Sequence, residues 1–159
     1  MKVIDFILKT ISAVCALVIV AIIIILVSGH NLLYVKTSSM EPDIPQWSLI
    51  IVKRYSDKDK FYDNVEIGSD ITFTTESGNY LTHRVIFLDE ENDIIQTQGI
   101  NGDYAVDAEI SHSKVQGIVK VSIPHLGRVA AATESVLFYV SIFAYGVLLW
   151  IIGKFFKKN

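Results

Sequence analysis

Ser39 and His83 are the two side chains of this sequence whose types and settings could together do chemistry. Ser39 opens the run Ser39-Met40-Glu41-Pro42, with Thr37 just before it and Pro45 just after. An unassisted serine hydroxyl is a poor nucleophile at neutral pH and needs a neighbouring base. The prolines stiffen the chain here, and the Ser-Ser-Met approach can aim a backbone N–H at a developing oxyanion. Thr37, Met40 and Pro42 are therefore the candidates for oxyanion and substrate binding. His83 sits in Leu81-Thr82-His83-Arg84-Val85, a strand-like apolar run that puts it on the same face as Leu81 and Val85. A neutral imidazole is the commonest general base. Serine with histidine spells nucleophilic acyl transfer, and so hydrolysis. A third group, an acid, would hold the imidazole in its useful tautomer. The loop from Gly99 to Asp107 offers Asp103 and Asp107, and nothing local chooses between them.

Other chemistries find little support. His30, His112 and His125 have no partner that the sequence names. The four histidines lack the paired spacing of a metal site, and the loop acids do not follow a calcium-loop pattern. No Gly-rich phosphate loop follows a strand. No metal and no cofactor are predicted.

Elements that could bring Ser39 and His83 together must start from a membrane. From Thr10 to Val35 there is no Asp, Glu, Lys or Arg, and Ser135 to Gly153 is again free of formal charge. Each stretch can supply the ~20 apolar residues that a helix needs to cross the hydrocarbon core. A basic start and an apolar run also fit a cleavable leader, but the run is long and no small-x-small site follows cleanly, so an uncleaved anchor is expected. Lys2 and Lys9 precede the first stretch, and Lys154, Lys157 and Lys158 follow the second, which points both ends inward. The expected organisation is a cytoplasmic N-terminus over 1–9, an anchor over 10–28, an extracytoplasmic catalytic domain over 29–133, a second span over 134–153 and a basic tail over 154–159. The outward part, Ser28 to Thr133, carries nine Lys and Arg against fifteen Asp and Glu, a net of −6. Nucleic acid is an unlikely partner for that charge; membrane lipid is an expected one. Cys15, the single cysteine, lies in the first span and excludes an intramolecular disulfide.

Short apolar runs between turn-forming clusters predict a small, mainly β domain, barrel-like and flanked by the two transmembrane helices. Strands are expected over Trp47–Tyr55, Asp70–Thr75, Asn79–Leu88, Asp93–Gln98 and Lys114–Val121. Glu76-Ser77-Gly78 would turn a hairpin between the second and third of these. Gly99–Ser113 reads as a loop, and Ser56–Gly68 as irregular chain or one helical turn.

These pieces together resemble type I signal peptidases, membrane serine proteases that remove secretory signal peptides. Ser39-Met40-Glu41-Pro42 is similar to the family's Ser-Met-x-Pro box, and Gly68 to Phe73 to its Gly-Asp-x-Ile-Thr-Phe strand. Thr82-His83-Arg84-Val85 matches the box where one branch carries lysine and another histidine. Histidine aligns the chain with the endoplasmic-reticulum-type branch, also found in archaea and some Gram-positive bacteria. The resemblance runs from about Tyr34 to Val121. It implies Ser39 as nucleophile and His83 as base, and signal-peptide-bearing precursors as substrates. It leaves room for accessory membrane subunits. Counting back from Gly117 favours Asp107 as the acid, with Asp103 the runner-up. The sequence departs from the family where an acid is usual: Thr97-Gln98-Gly99-Ile100-Asn101 places Ile100 there. A substrate would lie extended along a sheet edge, with Ile44, Ile71 and Val85 as candidate pocket walls, core packing being the favoured reading for any one of them. Three rivals remain: a lysine-dependent protease using Lys53, a membrane-anchored β module that binds without hydrolysis and, ranked below these, the self-cleaving repressor-like proteases, which use lysine and lack membrane spans.

Overall fold

The computed structural model describes residues 2–102, 104–134 and Tyr139. Lys2–Val27 is one helix, α1, and its Lys9–Val27 portion is long and apolar enough to cross a membrane. Nineteen residues at the helical rise span about 28 Å, close to the thickness of a hydrocarbon core. Side chains such as Val14, Leu17 and Ile24 point away from the rest of the protein, as a lipid-facing helix requires. The helix ends where Gly29 takes a positive φ of 77°. Lys53 Nζ donates to the Ser28 carbonyl at 2.8 Å, placing a cation at the negative end of the helix dipole.

Six strands follow: β1 (His30–Tyr34), β2 (Leu49–Lys53), β3 (Asp70–Thr74), β4 (Tyr80–Asp89), β5 (Ile94–Gln98) and β6 (Val115–Ile123). A short helix, α2 (Lys58–Tyr62), lies between β2 and β3, and α3 (Gly127–Thr133) follows β6. The strands form one antiparallel sheet in the order β1-β2-β6-β3-β4-β5. The expectation of a mainly β body is met, but the sheet is open. Register shifts at Ile51/Val52, Thr72/Phe73 and Val85/Phe87 bend it, yet among the described residues no ladder joins β1 to β5. Barrel-like closure is replaced by a local contact. Ile100 and Asn101, just beyond β5, donate their N–H groups to the carbonyl of Ser39, beyond β1, at 2.8 and 2.9 Å.

The sequence-predicted strands all form, shorter or shifted by a few residues at their ends. β1 and α3 are additions: β1 is a short strand separated from the anchor only by Ser28 and Gly29, within the same uncharged stretch. Ser56–Gly68 holds α2, whose N-cap Asp57 accepts from the Lys60 N–H at 2.9 Å. The hairpin turn is as expected, with Thr75 N–H donating to the Asn79 carbonyl at 2.8 Å and Gly78 at φ 81°. The second expected span lies outside the described residues except Glu134 and Tyr139.

Two apolar clusters support the sheet. Phe61, Val65, Ile71, Phe73, Val85, Ile95, Ile110 and Ile118 are among the first; Val35, Met40, Ile44, Ile50 and Val52 form the second. Burying nine and five such residues respectively, at about 1.5–3 kcal/mol for each large apolar side chain, is what holds a domain of this size together. Ile44, Ile71 and Val85, candidates for pocket walls with core packing the favoured reading, belong to these cores. Period-2 alternation names the inward face of a strand. It does not distinguish a core from a groove.

Candidate active site

Ser39 is placed by the turn that follows β1. Met40 beside it is fully buried among Val35, Ile44, Ile50 and Val52, so its side chain anchors the turn and does not line a groove. Pro42 follows a cis peptide bond and is exposed. Behind Ser39 the segment after β5 closes in. Besides the two N–H groups on the Ser39 carbonyl, Asn101 Nδ2 donates to the Ser38 carbonyl at 2.9 Å. Ile100, standing where the resembled family has an acid, packs against the Met40 cluster. An apolar residue at that position therefore serves the core under the turn.

His83 is placed by β4, opposite Ile71 on β3 and on the same face as the core residue Val85. Its imidazole Nε2 lies 3.1 Å from Ser39 Oγ, although the two residues are 44 apart in the chain. Its Nδ1 lies 2.5 Å from Asp107 Oδ2. Ser39 and His83 are 4% and 5% exposed, so the pair meets out of bulk water. A carboxylate only accepts, so Nδ1 must be the donor towards Asp107; Nε2 is then left to accept from the Ser39 hydroxyl. Thr37 Oγ1 stands 3.2 Å from Ser39 Oγ. With the serine proton committed to His83, the Thr37 hydroxyl can donate to Ser39 and is free to turn towards an anion beside it.

The structure thus brings together Thr37, Ser39, His83 and Asp107, of the residues singled out from the sequence. Asp103 lies outside the described residues. The other histidines go elsewhere: His30 Nδ1 meets Ser28 Oγ at 3.0 Å, and His112 Nε2 meets the Tyr55 carbonyl at 3.0 Å. His125 sits in the turn before α3 at φ 64°. Lys53, the alternative base, is spent on the end of α1.

Three contributors escaped the sequence reading. Gly99 approaches both groups: a Cβ there would stand 3.1 Å from the Ser39 carbonyl oxygen and 3.2 Å from His83 Nε2. Thr97 Oγ1 donates to Asp107 Oδ2 at 2.6 Å. Arg84 ties the nucleophile turn to the hairpin, with Nε on Asp70 at 2.8 Å and a terminal nitrogen on Asp43 at 2.9 Å. Its bonds to Asp70, and after them to Asp43, hold the guanidinium protonated beyond its usual range. The pair is partly exposed, so its worth is moderate. Arg84→Leu should lower turnover several-fold, to about a tenth, by releasing the turn while His83 stays in place; steady-state kinetics with a melting curve would show this. The signal was present, in an Arg next to the histidine and an Asp near the serine, but their pairing needs the fold.

A groove of about 520 Å3 reaches Thr37, whose hydroxyl stands 3.2 Å from Ser39 Oγ. Leu33, Val35 and Thr37 from β1 and its continuation line one side, and Thr72, Leu81 and Thr82 from β3 and β4 line the other. Its walls are mixed, apolar with a few hydroxyls. Thr37 is its contact with the site, whereas Thr82 faces Thr72, on the side of β4 opposite His83. β1 is an edge strand here, with β2 as its one ladder partner among the described residues, so its other edge can accept an extended chain.

No protein-family model matches the chain. It is 32% identical over 92 residues to "Signal peptidase I W" of Bacillus subtilis (strain 168), a match covering 57% of this chain and 46% of that protein. The match thus spans just under half of the relative's length. Over that length, it supports the type I signal peptidase family for this chain.

Proposed function

We propose that this chain is a membrane-anchored serine endopeptidase that removes N-terminal signal peptides from secreted precursors, in the manner of the endoplasmic-reticulum-type branch. The observation that carries the reading is the line of hydrogen bonds from Ser39 through His83 to Asp107. In it, Ser39 Oγ attacks the scissile carbonyl carbon as its proton passes to His83 Nε2. The Ser39 N–H and the Thr37 hydroxyl stabilise the oxyanion that forms. Collapse breaks the C–N bond, and His83 returns the proton to the leaving amine. Water, activated by the same imidazole, then releases the acyl group from Ser39.

The substrate runs extended through the groove beside β1, adding main-chain hydrogen bonds to the free edge. Residues 10–28 anchor the protein, 29–133 form the extracytoplasmic catalytic domain, and 134–153 return to the membrane. Twelve residues separate Val27 from Ser39, so the nucleophile lies at most ~40 Å from the bilayer edge. That is the level at which a membrane-inserted signal peptide ends. The lysine-dependent alternative is disfavoured by the bond from Lys53 to Ser28.

The test is cleavage of a signal-bearing precursor by the full chain in detergent. Wild type should release the mature protein and its Ser39 should label with a serine-acylating probe; Ser39→Ala should do neither. Processing that survives Ser39→Ala would overturn the proposal. A folded chain that neither cleaves nor labels would favour a binding module.

A further inference from the structure

Asp107 lies in the irregular segment between β5 and the turn at His112–Lys114, and its side chain is 19% exposed. A carboxylate so placed can rotate about two bonds and exchange its partners for water. Something must hold it if it is to meet His83 in one orientation. Thr97 is the group in position. It is fully buried on β5, directly opposite Val85, two residues along β4 from His83. Two contacts join it to Asp107: the Asp107 N–H donates to the Thr97 carbonyl at 2.9 Å, and Thr97 Oγ1 donates to Asp107 Oδ2 at 2.6 Å. The oxygen that accepts from Thr97 is the same one that meets His83 Nδ1.

We propose that Thr97 is a positioning residue for the reaction, its hydroxyl locking the Asp107 carboxylate in the rotamer that receives His83. The inference rests on the triad reading given above and assigns a function to a residue outside the triad. Threonine suits the task for two reasons. Its β-branch fixes χ1, so the hydroxyl direction is set by the strand. Its burial keeps competing water off the bond, and a hydrogen bond to a charged acceptor is among the stronger ones. A serine at 97 keeps the donor but loses the methyl. An alanine loses both, and so leaves a gap larger than serine's by the hydroxyl oxygen.

The experiment compares Thr97→Val, Thr97→Ser and Thr97→Ala in full-length chain, reading kcat, KM and thermal midpoint on one precursor. Thr97→Val and Thr97→Ala should lose about ten-fold or more in kcat with KM little changed. Thr97→Ser should recover most of the loss, although it lacks the same γ-methyl as alanine. In an Asp107→Ala background, Thr97→Val should cost nothing further, because the carboxylate that it positions is gone. Wild-type kcat in both Thr97→Val and Thr97→Ala would overturn the inference. So would equal losses in the serine and alanine variants, or a full additional loss in the Asp107→Ala background. If Asp107→Ala is inactive while Thr97→Val is normal, the triad reading stands and this inference alone falls. If Asp107→Ala is fully active, both fall.

Discussion

His83→Ala should lower the rate of precursor cleavage by about 10⁴-fold or more, with the folded domain intact. Two effects combine. Ser39 keeps its proton without an acceptor at Nε2, and the leaving amine has no donor when the tetrahedral adduct collapses. Asp107→Asn should follow closely, because an amide facing Nδ1 can offer its NH₂ and turn the imidazole to the wrong tautomer. Loss of the hydroxyl and loss of the base should not add: Ser39→Ala, His83→Ala and their double variant ought to share one residual rate, since each removes the same concerted proton transfer. Single-turnover cleavage with a melting curve for each variant is the measurement. A His83→Ala chain within ten-fold of wild type would remove the proton-transfer mechanism, whatever the substrate. The structural cost of the change is modest beside this, because His83 sits at the margin of the first core cluster while Val85, Ile71 and Ile95 fill it.

Gly99→Ala is the second large effect, and it works by distance alone. A methyl at 99 would lie 3.1 Å from the Ser39 carbonyl oxygen, 3.2 Å from Ser39 Cβ and 3.2 Å from His83 Nε2. The two groups that must share a proton stand 3.1 Å apart, and the methyl would press on both. None of its neighbours is the loose end of a flexible chain: two belong to Ser39, whose carbonyl is already held by Ile100 and Asn101, and the third is the imidazole fixed by Asp107. Relief must come from moving Ser39 or His83 by a few tenths of an ångström. Displacements on the ångström scale in a reacting pair cost about a hundred-fold, and kcat should fall towards that value. The thermal midpoint should move little, because the strain sits in a site and not in the core. An alanine variant with wild-type kcat would mean that the segment after β5 is free to retreat, and that the closeness of Gly99 plays no part in catalysis.

Much of the local structure was legible before any coordinates. Trp47–Tyr55, Asp70–Thr75, Asn79–Leu88, Asp93–Gln98 and Lys114–Val121 were readable as strands because β-branched and apolar residues recur between Gly, Asp, Asn and Ser clusters. The turn at Glu76-Ser77-Gly78 was readable because glycine there supplies a positive φ at no steric cost. β1 was hidden because His30–Tyr34 is only five residues long and falls inside the uncharged stretch that begins with the anchor, although Ser28-Gly29 breaks the apolar run before it. The sequence left the pocket walls open for a related reason. Ile44, Ile71 and Val85 are inward-facing, and inward is all that the alternation reports. Which inward faces close on a core and which border a groove depends on how far the sheet bends.

What the chain's chemistry determined alone is the set of parts: a nucleophile stiffened by prolines, an imidazole on an apolar strand, acids in a polar loop, and a membrane-length helix ahead of them. The assembly was decided by tertiary structure. Hydrogen bonding selects β6 as the strand between β2 and β3, register sets Ile71 opposite His83, and the segments beyond the two open edges of the sheet meet where Ile100 and Asn101 reach Ser39. Contacts such as Thr97 to Asp107, or Arg84 to Asp43, are between groups ten and 41 residues apart. Residue type and spacing describe one strand or one turn at a time, whereas the distance between two side chains on different strands is set by pairing, bulges and core packing acting together.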